Sequence, residues 1–269
     1  MSPRPPRPPR SAPAGAGRAV GLSLAAAGAA LAAPSVASIG PARRRLAPRL
    51  SGIAPTPHVA LTYDDGPDPV STPLFLDLLE RHDRHATFFL LGEHVVRHPA
   101  LVAEMAARGH ELAVHGWDHD CVLTVPPGQL VAELGETVEL IERLGGRRPR
   151  WYRPPYGVLS TPALVAARAA GLRTVLWSAW GRDWEARATP PRIVRTVART
   201  LAPGGTVLLH DTDRTSAPGS WRHTLAASEL LLERWGREGL PVGPLRDHAL
   251  GEGQTGPARS SAARAAVPG

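Results

Sequence analysis

Between residues 58 and 250, short runs of strand-forming residues alternate with helical patterns, which restricts the chain to an α/β fold built on a parallel sheet. Strands are predicted at 58–64, 86–91, 111–115, 150–153, 173–178, 206–210 and 241–245. Helices are predicted between them, at 72–83, 99–108, 128–144, 161–170, 190–201 and 223–238. Ser71-Thr72-Pro73 offers a cap with proline in the first turn, and Gly109, Gly145 and Gly171 fall just past helix ends. Seven such repeats suit either a barrel that closes imperfectly or an open doubly wound sheet, and periodicity does not choose between them. In both, the carboxyl ends of the strands face one crevice.

The chemically unusual residues fall at those ends. Val59-Ala60-Leu61-Thr62-Tyr63 runs into Asp64-Asp65 and breaks at Gly66-Pro67. Burial explains the apolar run and Gly-Pro explains the turn, but two adjacent carboxylates repel, so one needs a counter-charge or keeps its proton. His115 ends the third strand, Arg153 the fourth and His210 the sixth, while Asp183-Trp184 lie just past the fifth. Five separated sites therefore converge on one surface patch.

His115-Gly116-Trp117-Asp118-His119 sets two imidazoles four residues apart, a spacing that lets both face one cation. Alone this is an ordinary pair of loop histidines. With Asp65 it becomes a two-His, one-carboxylate set with a position left for water, which suits zinc best and admits other divalent transition ions. Asp64, beside the ligand, is placed to act as the base. Arg153, in Arg153-Pro154-Pro155-Tyr156-Gly157, can pair with a carboxylate through its planar fork. The prolines stiffen that loop and leave the Tyr156 N–H to face a developing oxyanion. His210, in Leu208-Leu209-His210-Asp211, is the candidate general acid. Together these parts describe metal-assisted hydrolysis of an acyl group.

Charge narrows the partners. The chain carries a net +7, but residues 1–57 hold eight Arg and no acid, and 251–269 hold two Arg and one Glu. The central 58–250 therefore sums to 7 − 8 − 1 = −2. The basic character belongs to the tails, which argues against a nucleic-acid-binding fold. Residues 1–57 read as an Arg/Pro/Ala-rich leader. Its uncharged span over 19–40 has the features of an export signal or a membrane anchor, with a disordered or surface-helical leader as the alternative. Residues 58–250 read as one catalytic domain and 251–269 as a disordered tail. The expected location is the cell envelope, exported or anchored, with the cytoplasm as the alternative, and a monomer is expected. The lone Cys121 excludes an internal disulfide.

In its ordered motifs the chain resembles the polysaccharide deacetylases, carbohydrate esterase family four, with the nodulation-type deacetylase homology domain. Thr62–Gly66 matches the first motif, His115–His119 the second and Arg153–Tyr156 the third. Asp183-Trp184 keep part of the fourth and Leu208–His210 match the fifth. The resemblance covers about residues 58–247. It implies a distorted (β/α)7 barrel that removes N-acetyl groups from an amino-sugar glycan or glycoconjugate by attack of a water held on one divalent ion, zinc first, with cobalt or nickel as alternatives. It further implies Asp64 as base and Asp65, His115 and His119 as ligands. Arg153 would orient the base, the Tyr156 N–H would face the oxyanion, Leu208 would line the acetyl pocket and His210 would be the acid.

Two positions depart from the pattern. Gly116 stands where the family has Ser or Thr, so a hydroxyl bracing the metal loop is missing. Trp180 stands where the fourth motif begins with Asp, so Asp183 is expected to support Arg153, alone or with Asp211. Trp180 and Trp221, each past a strand end, are expected with Trp184 to wall the substrate crevice by stacking on a sugar face or acyl chain. Two competing readings are a catalytically silent glycan-binding barrel and a deacylase of a small or lipid-linked amide or ester.

Overall fold

A computed structural model describes residues 28, 30–31, 33–38 and 40–250. The tail 251–269 and much of the leader, including residues 19–27 of the expected signal or anchor, lie outside these residues. Among the described residues no helix is long and apolar enough to cross a membrane.

In chain order the strands are β1 (Val59–Asp64), β2 (Thr87–Leu91), β3 (Glu111–Gly116), β4 (Trp151–Tyr152), β5 (Arg173–Thr174), β6 (Ala179–Trp180), β7 (Thr206–His210) and β8 (Val242–Gly243). The helices are α1 (Gly40–Leu46), α2 (Thr72–Arg81), α3 (Gly92–Arg97), α4 (Pro99–Ala107), α5 (Pro127–Gly145), α6 (Thr161–Ala169), α7 (Pro190–Thr200) and α8 (Ser220–Arg237). Every residue of β1, β2 and β3 is buried, as expected for strands covered on both faces. The strands lie in the order β5-β4-β3-β2-β1-β7-β6, all pairs parallel, with β8 beside the start of β1. The β1–β7 register sets Asp64 opposite His210. Two residues far apart in sequence thus share the rim.

The helices bury one face each. In α5 the buried positions are Leu130, Leu134, Thr137, Val138 and Ile141, an i, i+4, i+7 stripe, and Gly146 ends the helix in a left-handed conformation (φ 70°). The short α3 has no counterpart among the predicted helices, because its six residues are too few to show a period.

The sheet curls into a barrel that does not close between β5 and β6, which identifies the fold as the distorted (β/α)7 barrel. Of the predicted strand 173–178 only Arg173–Thr174 is strand; an irregular stretch follows, and β6 begins beyond the predicted range at Ala179. The backbone groups of the irregular stretch find partners elsewhere. Leu176 N–H donates to Leu50 O at 2.7 Å, Ser178 N–H donates to Thr206 O at 3.0 Å, and Trp177 O accepts from Arg43 Nη2 at 2.9 Å. Packing therefore extends to residues before 58. Arg43 of α1 is 4% exposed, and its guanidinium lies 5.5 Å from the Trp177 ring centroid. Thr206 Oγ1 donates to Gly52 O at 2.7 Å, and Gly52 lies in a left-handed turn (φ 65°) so close that a Cβ would sit 2.3 Å from that hydroxyl.

Candidate active site

The acid pair is built by the end of β1. Asp64 completes the strand, and Asp65 turns the chain with φ 78°, a conformation open to few residues other than Gly, Asn and Asp. Arg153 follows β4 and is fully buried. Its Nη1 donates to Asp64 Oδ1 at 2.6 Å and to Thr62 Oγ1 at 2.8 Å, and Nη2 donates to Leu176 O at 3.1 Å. The guanidinium also lies 4.0 Å from the Phe89 ring centroid. Burial lowers its pKa, and the charge and hydrogen bond of Asp64 oppose that.

Asp65, His115 and His119 are buried, and one ligand atom from each lies within 4.8 Å of the others. His115 Nε2 and His119 Nε2 each lie 3.2 Å from Asp65 Oδ1. His115 Nδ1 is 2.7 Å from Arg153 O, so in the neutral ring Nδ1–H donates there and Nε2 turns a lone pair inward. Asp65 Oδ1 is buried with no well-formed hydrogen bond. Three lone-pair donors thus meet around one point, an arrangement that a divalent cation satisfies. Burial acts to raise the Asp65 pKa, but the imidazoles of His115 and His119 and the charge on His210 outweigh it and hold the carboxyl well below the usual range.

His210 sits across the rim. Its backbone N–H donates to Asp183 Oδ2 at 2.8 Å, and its Nδ1 lies 3.2 Å from Asp183 Oδ1. Thr224 of α8 donates to the same Asp183 Oδ2 at 3.0 Å. Burial acts to lower the His210 pKa, yet the charge and hydrogen bond of Asp183, with the charges of Asp65 and Asp64, raise it to about 10. This corrects the expectation that Asp183 supports Arg153: it braces His210 instead. Asp211 does not reach Arg153 either. It accepts from Thr72 Oγ1 at 2.5 Å beneath Gly66, where a Cβ would lie 2.7 Å from its Oδ2, and burial raises its pKa to about 7. With Trp180 in place of an acid, Arg153 Nε is left buried without a partner.

Asp64, His115, His119 and His210 share one cavity of about 290 Å³, lined also by Tyr156, Gly157, Trp177, Trp180, Trp184, Leu208 and Thr215. Tyr156 has φ 58° in the turn Pro155–Gly157, is 62% exposed, and sets its ring edge-on to His119 at 4.6 Å. Trp177 stacks on Trp180 at 6.0 Å, Trp180 meets Trp184 edge-on at 5.3 Å, and Trp184 meets His210 edge-on at 5.6 Å. Trp221 is not part of this wall. The polar loop after β7 ends at Gly219, so α8 starts at Ser220 and turns Trp221 into the main core with Thr224, Ala227 and Leu231. Three lining residues, Gly157, Trp177 and Thr215, lie outside the expected site set. Trp177 was indistinguishable from a core aromatic, and nothing near Thr215 in sequence marks its hydroxyl, which donates to Asp65 Oδ2 at 2.6 Å.

A polysaccharide deacetylase family profile matches residues 51–175. A chitooligosaccharide deacetylase of Bradyrhizobium is 36% identical over 204 residues, covering 72% of this chain and 91% of that protein. A peptidoglycan-N-acetylglucosamine deacetylase of Bacillus cereus is 36% identical over 163 residues, and the match covers 61% of this chain and 59% of that relative. Among solved structures, a peptidoglycan N-acetylglucosamine deacetylase bound to an N-hydroxybenzamide superposes with a TM-score of 0.68 at 30% identity, over 74% of this chain and 91% of that one. The chain belongs to the polysaccharide deacetylase family and is a hydrolase of that type.

Proposed function

We propose that this chain is a metal-dependent deacetylase of an N-acetylated amino-sugar glycan. The observation that carries the reading is that Asp65, His115 and His119 converge, and that the two histidines line the cavity that also joins Asp64 to His210. A divalent cation on those three residues would supply Lewis acidity to water and to the amide carbonyl. Asp64 would take the proton of the attacking water, and Arg153 holds its carboxylate in place at the rim. The Tyr156 N–H would face the negative charge that develops on the carbonyl oxygen. His210, protonated through Asp183, would give its proton to the departing amine. Leu208 and Trp184 would enclose the acetyl methyl, with Trp180 and Trp177 extending the apolar wall toward the sugar.

Similarity to deacetylases of chitin oligomers and of peptidoglycan supports an N-acetylglucosamine-containing substrate. Export to the envelope is part of the proposal, on the strength of the arginine-bearing leader with its apolar span, and fractionation of cells carrying a tagged chain tests it. A deacylase of a small or lipid-linked amide is favoured by one observation, the three adjoining indoles at the cavity wall. The test is acetate release from chitin oligomers and peptidoglycan fragments against small N-acyl compounds. We expect release from the glycans, falling about 10²–10⁴-fold in Asp64→Asn. Release confined to small compounds supports the second reading, and an unimpaired Asp64→Asn contradicts both.

A further inference from the structure

The loop from Asp211 to Gly219, between β7 and α8, is tied down on two sides. Arg214 pairs with Glu93 and donates to His94 Nε2, both of α3, and donates to Asp118 Oδ1 at 2.8 Å, in the stretch between the two histidine ligands. Since His94 Nε2 accepts, its Nδ1–H donates to Pro67 O at 3.0 Å, which joins the same anchor to the turn after Asp65. On the other side, Ala217 N–H donates to Trp184 O at 3.0 Å. Between these anchors Thr215 places its hydroxyl 2.6 Å from Asp65 Oδ2.

That hydroxyl is the only one bonded to the ligand triad among the described residues. Gly116 carries none, and His119 Nδ1 is buried with no partner. Space is not what excludes a side chain at 116: a Cβ would meet only Pro155, at 3.7 Å. The backbone excludes it, because φ is +110° and an L-residue there is strained.

Resting on the reading that Asp65, His115 and His119 hold a divalent cation, we propose that Thr215 is the positioning residue of the metal carboxylate. Its hydroxyl occupies Oδ2, so that Oδ1, equidistant from the two Nε2 atoms, is the oxygen presented as ligand. Arg214 fixes the loop that delivers it. The bracing that a hydroxyl beside His115 would give is supplied here from the loop after β7.

The test measures zinc affinity of the purified full chain against a chromophoric chelator, with the visible spectrum of the cobalt-loaded protein as a second readout. Thr215→Val should weaken zinc binding about 10–100-fold, the usual cost of losing a partner that orients a ligand. It should also change the cobalt bands, because Oδ2 becomes free to coordinate. Thr215→Ser should retain near wild-type affinity and spectrum, and Arg214→Gln should weaken binding in the same direction by less. Should Thr215→Val misfold, the Thr215→Ala and Thr215→Ser pair carries the same comparison. Wild-type affinity and an unchanged cobalt spectrum in Thr215→Val or Thr215→Ala overturn the proposal while leaving the metal reading intact. A wild-type chain that binds no divalent ion overturns both.

Discussion

At the scale of single residues, the site is a chain of held charges. Asp183 fixes His210 twice, through the backbone N–H and through Nδ1, and so points Nε2 outward as a proton donor. His210 is raised from its ordinary 6.5 to about 10, with burial opposing and Asp183 as the largest favourable cause. A histidine whose pKa rises on folding stabilises the native chain fully below about pH 6.5, and that contribution is lost as pH climbs through about 10. Asp183→Asn keeps the size, removes the charge and leaves one oxygen in place of the two that accept from His210. The His210 pKa should then fall, moving the basic limb of the pH–rate profile toward neutrality and flattening the decline of Tm between pH 7 and 10. An unmoved basic limb would show that another group sets it.

Residue identity alone reached part of this. Asp64, Asp65, His115, His119 and His210 were legible because charged and imidazole side chains at strand ends have few structural uses. The partner of Asp183 was not legible, because it depends on how the stretch after β6 meets β7. The contact of Thr215 with Asp65 spans 150 residues of sequence, and a polar loop gives no sign of it.

At the scale of elements, strand register and helix start decide which side chains meet the cavity. The parallel β1–β7 register brings Asp64 level with His210. The strand positions were readable from apolar runs, whereas the split at 175–178 was not, because Val175 and Leu176 are as apolar as a continuous strand would be. Trp221 shows the same limit for a helix. It reads as a loop residue if α8 starts at 223 and as a core residue if α8 starts at 220, and Gly219 (φ 76°) with its N–H on Asp213 Oδ2 selects the second. Trp221 is 9% exposed. We expect Trp221→Ala to destabilise the fold by about 3–5 kcal/mol in denaturant titration, with KM for glycan unchanged at a temperature where the variant is folded. A rise in KM with no loss of stability would return Trp221 to the substrate wall.

At the scale of the whole molecule, an incompletely closed barrel has to satisfy the polar backbone at its gap, and this chain does so with residues that precede its first strand. Arg43, Leu50 and Gly52 reach Trp177, Leu176 and Thr206 and thereby support the back of the tryptophan wall. The family profile likewise starts before β1, at residue 51. Composition assigned these residues to a leader, since an Arg- and Pro-rich stretch gives no sign of burial until its partners are known. The central claim remains the cation held by Asp65, His115 and His119, and metal content of the purified full chain beside His115→Ala tests it most directly. The account predicts about one divalent ion per wild-type chain, released by chelator, restored by zinc, and lost in His115→Ala. A wild-type chain that stays empty after reconstitution with zinc, cobalt and nickel would contradict it.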